Sequence, residues 1–158
     1  SDRQGFEQTR QWRFTPPTHV IAAVLQALKA HRLEGGVAGR GARYTRNRDV
    51  LVAGMRELGF DTLLDDRWQS PIIVTFFSPA DPAFSFQRFY ELMQEKGFVI
   101  YPGKLTEADS FRLGCIGQID EHVMKNVIKA AAGALREMGI TDAAASPAIL
   151  QERADMAV

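Results

Sequence analysis

Apolar positions recur at helical spacing in four stretches of the chain and run together in shorter blocks between them. Val20, Ile21, Val24, Leu25 and Leu28 make one helical face after Phe14-Thr15-Pro16-Pro17-Thr18, where Thr15 is placed to cap and Pro16 to take the first helical position. Glu34-Gly35-Gly36 breaks that helix. A second, reaching to about Leu58, turns Tyr44, Leu51, Val52, Met55 and Leu58 inward and a series of arginines outward. Ser85 caps a helix with Phe86, Phe89, Tyr90 and Met93 on one side. Asp120 caps the last, whose stripe is Val123, Met124, Val127, Ile128, Ala131, Leu135 and Met138.

The shorter blocks read as strands: Phe60 to Leu64, Ile72 to Phe77, Phe98 to Tyr101 and Phe111 to Ile116. Short turns between successive strands favour antiparallel pairing, and few helical crossovers remain. The predicted class is α+β, with a small, mostly antiparallel sheet of about four strands covered by helices. From Thr141 onward Ala, Ser, Pro and Asp dominate and the periodicity fades, so residues 141–158 are expected to be a poorly ordered tail.

Composition narrows the function classes. At 158 residues the chain is long enough for a real core, and 46% of its residues are apolar against 24% charged, a globular profile. Nineteen basic residues balance nineteen acidic ones, which argues against bulk electrostatic binding to nucleic acid or acidic membranes. One cysteine, Cys115, excludes an intrachain disulfide framework and suits a reducing, cytoplasmic compartment. No apolar stretch approaches the length of a membrane-spanning helix.

Several local patterns carry no chemistry. Gly103-Lys104 lacks the first glycine and the Ser or Thr of a phosphate-binding loop, because Phe98 and Leu105 stand there. Gly35, Gly36, Gly39 and Gly41 have the wrong spacing for a dinucleotide loop and follow no strand; a helix break and a lightly packed helix start account for them. His19, His31 and His122 have no carboxylate or cysteine at metal-ligand spacing, so no metal site is expected. Cys115 reads as a small buried hydrophobe. Arg40, Arg43, Arg46 and Arg48 read as a solvated helix face, with a nucleic-acid stripe as the minor alternative.

Two residues stand out. Arg112 lies between Phe111 and Leu113 in an otherwise apolar strand, where a guanidinium is costly without an anion beside it. Its fork of donors suits a bound carboxylate; an internal salt bridge to Glu107 or Asp109 would serve equally. Thr15, at a helix start, offers a hydroxyl beside free backbone N–H groups and could receive an anion or simply cap.

Several segments in register resemble a known family. They are Gln11-Trp12-Arg13-Phe14-Thr15-Pro16-Pro17-Thr18-His19, Glu34-Gly35-Gly36-Val37-Ala38, Leu51-Val52-Ala53-Gly54-Met55-Arg56 and Gly59-Phe60. Gln69-Ser70-Pro71-Ile72-Ile73, Gly97-Phe98-Val99-Ile100-Tyr101-Pro102-Gly103-Lys104 and Phe111-Arg112-Leu113-Gly114 complete them. Together they resemble the C-terminal portion of the 2-aminoethylphosphonate–pyruvate transaminase family, class V aminotransferases of PLP fold type I.

The resemblance implies a homodimer that uses pyridoxal 5'-phosphate (PLP) to move an amino group from 2-aminoethylphosphonate to pyruvate. Arg112 matches the family arginine that receives the carboxylate of pyruvate or alanine. Thr15 matches a threonine that reaches the PLP phosphate of the neighbouring subunit. The family's Schiff-base lysine and its pyridine-pairing aspartate precede the Trp12-Arg13-Phe14 motif, so both are expected upstream of this chain. Lys104 matches a different motif and does not take the lysine's role. Residues 1–33 then correspond to the end of the large-domain region and the first interdomain helix, and 34–140 to the C-terminal small domain. The isolated chain is expected to be inactive. The alternatives are another class V transaminase, of the serine or alanine–glyoxylate type, and a non-catalytic carboxylate-binding or dimerisation module.

Overall fold

The computed structural model describes residues 2–12, 14–103 and 109–156. The chain forms two compact units, Ser1–Arg40 and Gly41–Val158. The boundary falls inside a helix rather than at residues 33 and 34. The first turn of that helix is tied back to the preceding one: Arg40 Nε lies 2.7 Å from Glu34 Oε2, and the Gly39 N–H donates to the Gly35 carbonyl. A Cβ on Gly39 would collide with the Glu34 carbonyl, so only glycine permits this turn.

The first unit holds α1 (Asp2–Thr9), α2 (Thr18–Leu33) and the opening of α3 (Gly36–Glu57). Thr15 does not cap α2. The residue before a proline is driven out of the helical region, and two prolines in succession extend that effect to Pro16. The helix therefore starts at Thr18, with Pro17 at the N-cap and no side-chain cap. The amphipathic pattern of α2 is as expected, but none of its residues is buried, and Val20, Val24 and Leu28 are more than half exposed.

The second unit carries the sheet. Its strands are β1 (Ile73–Phe77), β2 (Tyr101–Pro102) and β3 (Ser110–Gly114), in the order β1-β3-β2, with both pairings antiparallel. The expected first strand, Phe60 to Leu64, is reduced to one bridge, Thr62 with Phe76. Asp61 and Leu63 supply its flanking hydrogen bonds, after which the chain enters a 3-10 turn, Asp66–Trp68, capped by Asp65. The expected Phe98 to Tyr101 strand is shortened and moved to Tyr101–Pro102, because Phe98 closes the end of the preceding helix by donating to the Met93 carbonyl.

Helices α4 (Phe86–Glu95) and α5 (Glu121–Glu137) begin where the sequence places them, capped by Ser85 and Asp120. With α3 they cover one face of the sheet. Phe111 is the hub of that core: its ring lies 5.5 Å from Phe60, 5.8 Å from Phe76 and 5.3 Å from Phe89. Gly54 of α3 lies so close to Ile128 of α5 that a Cβ would sit 2.4 Å from the Ile128 Cδ1.

The tail is ordered, against expectation. It forms α6 (Pro147–Met156), and Ala143 and Ala145 are buried. Hydrogen bonds hold it: Arg153 Nη1 donates to the Thr62 carbonyl at 2.7 Å, Ala145 N to Asp61 Oδ2, and Ala80 N to the Ala144 carbonyl. Alanines leave little trace in an apolar periodicity, yet they let backbone approach backbone closely.

Candidate functional site

Strand β3 presents two chemically different faces. Phe111, Leu113 and Cys115 point into the core; Arg112 and Gly114 point away from it, as the two-residue period requires. β3 is the central strand, so Arg112 has a neighbour on each side: Thr75 on β1 and Tyr101 on β2. Cross-strand partners share a face, and the three side chains form one row across the open side of the sheet. Arg112 and Thr75 are half-buried, while Tyr101 is 57% exposed.

The ladder fixes this row. Cys115 N donates to the Ile72 carbonyl and Ser78 N to the Asp109 carbonyl, so by alternation Thr75 and Arg112 are a non-hydrogen-bonded pair, the closer of the two antiparallel types. On the other side Gly103 N donates to the Ser110 carbonyl, which makes Tyr101 and Arg112 a hydrogen-bonded pair. Pro102 thus falls where the ladder asks for no N–H, on an edge strand, so its ring costs the sheet nothing.

Arg112 donates through Nε to the Pro102 carbonyl at 3.3 Å. No described carboxylate lies within ion-pair distance of it, Asp109 included; Glu107 and Lys104 lie outside the described residues. With Nε engaged, the two terminal nitrogens form the pair that suits an anion end-on. Thr75 and Tyr101 make no side-chain hydrogen bond among the described residues.

A second set of groups holds the end of β3. Asn47, fully buried on α3, donates through Nδ2 to the carbonyls of Cys115 and Ile119, each at 3.1 Å. Arg43, one turn earlier, donates to the carbonyls of Gly117 and Ile119 at 2.6 and 2.7 Å. The loop between β3 and α5 is thereby pinned to α3.

The rest of the expected basic face is likewise engaged. Arg46 pairs with Glu121, and Arg48 pairs with Asp49 and donates to the Gln69 carbonyl. Arg56 grips Asp66 with both terminal nitrogens, and that hydrogen bond holds the Asp66 carboxyl below its ordinary range. Cys115 is buried as expected, and desolvation pushes its thiol up to about 11 against a weaker opposing pull from Arg48.

Thr15 is exposed, ahead of the uncapped first turn of α2 in the first unit, whereas Arg112 belongs to the second unit. Thr75, Tyr101 and Asn47 escaped the sequence pattern as site residues. For Thr75 a signal exists: it is the one polar residue inside the apolar block from Ile72 to Phe77. Tyr101 and Asn47 give none, because a strand-end tyrosine and a mid-helix asparagine are ordinary until pairing partners are known.

Among the described residues no group of acids, histidines and cysteines could hold a metal, and no helix is long and apolar enough to cross a membrane. No protein-family model matches the chain. It is 68% identical over 151 residues to the 2-aminoethylphosphonate–pyruvate transaminase of Rhizobium meliloti, a match covering 95% of this chain and 39% of that protein. It is 64% identical over 150 residues to 2-aminoethylphosphonate–pyruvate transaminase 1 of Paraburkholderia xenovorans, with the same coverage of 95% and 39%. Among solved structures, the fold matches an aspartate aminotransferase of subgroup IV from Thermus thermophilus with a TM-score of 0.64 at 23% identity, over 81% of this chain and 35% of that one. It also matches a ureidoglycine–glyoxylate aminotransferase from Bacillus subtilis with a TM-score of 0.61 at 20% identity, over 79% of this chain and 32% of that one. The chain is homologous to the C-terminal part of 2-aminoethylphosphonate–pyruvate transaminases and spans 39% of the length of these two curated relatives.

Proposed function

We propose that this chain is the C-terminal part of a homodimeric, PLP-dependent transaminase that moves the amino group of 2-aminoethylphosphonate to pyruvate, giving phosphonoacetaldehyde and alanine. The observation that carries the proposal is the 68% identity, over 95% of the chain, to a relative bearing that name. The geometry supports the part assigned to Arg112: it stands on the open face of the sheet with no described carboxylate paired to it.

PLP supplies an electron sink for amino transfer when it is bound. Among the described residues, those that fit the cofactor fit its phosphate. Thr15 offers an exposed hydroxyl, and the first turn of α2 has no side-chain cap over its N–H groups. Thr15 would reach the phosphate of the cofactor held by the partner subunit.

Arg112 would bind the carboxylate of pyruvate or alanine through its two terminal nitrogens. A bidentate grip removes rotational freedom from the substrate before reaction, and so presents the keto or amino carbon in one orientation. A lysine supplies the charge without the fork. In the complete transaminase containing this segment, Arg112→Lys should raise the pyruvate KM by at least about tenfold. An unchanged pyruvate KM would remove the assignment.

A further inference from the structure

We infer that Pro102 is a positioning residue for Arg112: its carbonyl holds Nε of the guanidinium at the outer edge of the sheet and leaves the two terminal nitrogens to receive the carboxylate of the 2-oxo acid. The inference rests on Arg112 as the carboxylate-binding residue proposed above and adds the group that aims it.

The ladder fixes the direction of that carbonyl. In a trans peptide unit the C=O of one residue and the N–H of the next point in opposite directions. Gly103 N donates inward to the Ser110 carbonyl of β3 at 2.8 Å, so the Pro102 carbonyl points outward, past the edge of β2. Arg112, on the central strand, reaches across β2 and places Nε 3.3 Å from it. One peptide unit is thus held from both sides, by β3 through its N–H and by Arg112 through its C=O.

An uncharged acceptor suits this task. A carboxylate in the same place would orient the guanidinium but also neutralise it, and would compete with the incoming acid. The Pro102 carbonyl engages one donor and leaves the positive charge uncompensated, since no described carboxylate pairs with Arg112. A long side chain loses rotamer freedom when it grips a ligand, and a guanidinium already held at Nε has less to lose.

Proline contributes through what it lacks. A strand residue turns its N–H and its C=O to the same side. Any other residue at this position would set an N–H beside the outward carbonyl, facing a guanidinium that carries only donors. Proline removes that N–H and fixes φ, so the edge offers Arg112 an acceptor alone. The sheet itself does not call for proline here, because the position lies outside its inward hydrogen bonds.

The test uses the complete transaminase containing this segment and steady-state kinetics with pyruvate. Pro102→Ala keeps the carbonyl but frees φ and restores the N–H. It should raise the pyruvate KM about fivefold and leave kcat within about twofold, because a hydrogen bond that orients the binding group is weakened. Pro102→Val, which suits a strand better, should do the same. Both should melt within about two degrees of the parent. In an Arg112→Lys background, where Nε–H and the fork are gone, Pro102→Ala should change the pyruvate KM by less than about twofold.

If Arg112→Lys raises the pyruvate KM while neither proline variant does, Pro102 does not aim the arginine, and the assignment of Arg112 stands. An equal rise with and without the Arg112→Lys change would mean that Pro102 acts through the sheet, and overturns the inference. A rise accompanied in both variants by a larger loss of melting temperature does the same. If Arg112→Lys has no effect, the carboxylate assignment falls and this inference falls with it.

Discussion

Phe111 and Arg112 are consecutive residues on opposite faces of one strand: Phe111 is fully buried among Phe60, Phe76, Phe86 and Phe89, and Arg112 is on the open side between Thr75 and Tyr101. The pairing separates stability from binding. Phe111→Ala should cost about 3–5 kcal/mol, as removal of a large core aromatic does. Arg112→Ala should change stability by less than about 1 kcal/mol, because it loses one long hydrogen bond at a half-exposed site. Denaturant unfolding of the two variants checks this; equal losses would mean that Arg112 has a structural role.

Asn47 should be a hinge pin for the loop after β3. Asn47→Ala leaves the carbonyls of Cys115 and Ile119 without their buried donor and should destabilise the chain by about 2–3 kcal/mol. Asn47→Asp should be worse and pH-dependent. The new carboxyl would face two carbonyl oxygens, and burial would raise its folded-state pKa above its unfolded one. It would be tolerated best below the unfolded value and lose stability as pH rises through the folded one. Chemical denaturation at about pH 4 and pH 7 would show whether the deficit grows in that direction.

Gly59 ends α3 with φ +96, and a Cβ there would sit 2.7 Å from Asp142 Oδ1 and 2.9 Å from Ala143 N. Gly59→Ala should cost about 1–3 kcal/mol, combining left-handed strain with a clash against the tail. A melting temperature within about a degree of the parent's would mean that the tail does not sit on this turn.

Cys115 should be unreactive in the folded chain. Its thiol is raised from 9.0 to about 11 by burial, so an aromatic disulfide reagent at pH 8 should modify it slowly under native conditions and rapidly in denaturant. Between about pH 9 and pH 11 the unfolded state binds fewer protons than the folded one, so this group's contribution to stability is complete below that window and falls through it. Fast modification at pH 8 without denaturant would contradict the burial.

Much of the helical frame was legible because helices announce themselves locally. Ser85 and Asp120 cap where their spacing places them, and the expected stripes of α4 and α5 face the core, some of their residues buried and Phe86, Tyr90, Val123, Ile128 and Met138 half-buried against it. The start of α2 was misplaced because two adjacent prolines restrict the residues before them more strongly than a threonine invites a cap. The strands were less legible at their ends: Phe60 to Leu64 shrinks to a bridge and Phe98 to Tyr101 to its last residue. A strand exists only where a partner pairs with it, and a run of apolar residues does not specify the partner. The ordered tail was illegible for a related reason, since it is held by hydrogen bonds to residues distant in sequence, Asp61, Thr62 and Ala80.

The sequence by itself determined that Arg112 is an unusual charge in an apolar strand, and its motifs in register placed it in a transaminase-like context. Only the tertiary structure decided what stands beside it. The strand order β1-β3-β2 brings Thr75 and Tyr101, from segments on either side of α4, into one row with Arg112. Side-chain alternation along a strand is a local property and is written in the chain. Which residues face each other across strands depends on long-range pairing, settled when the aromatic core around Phe111 closes on the helices.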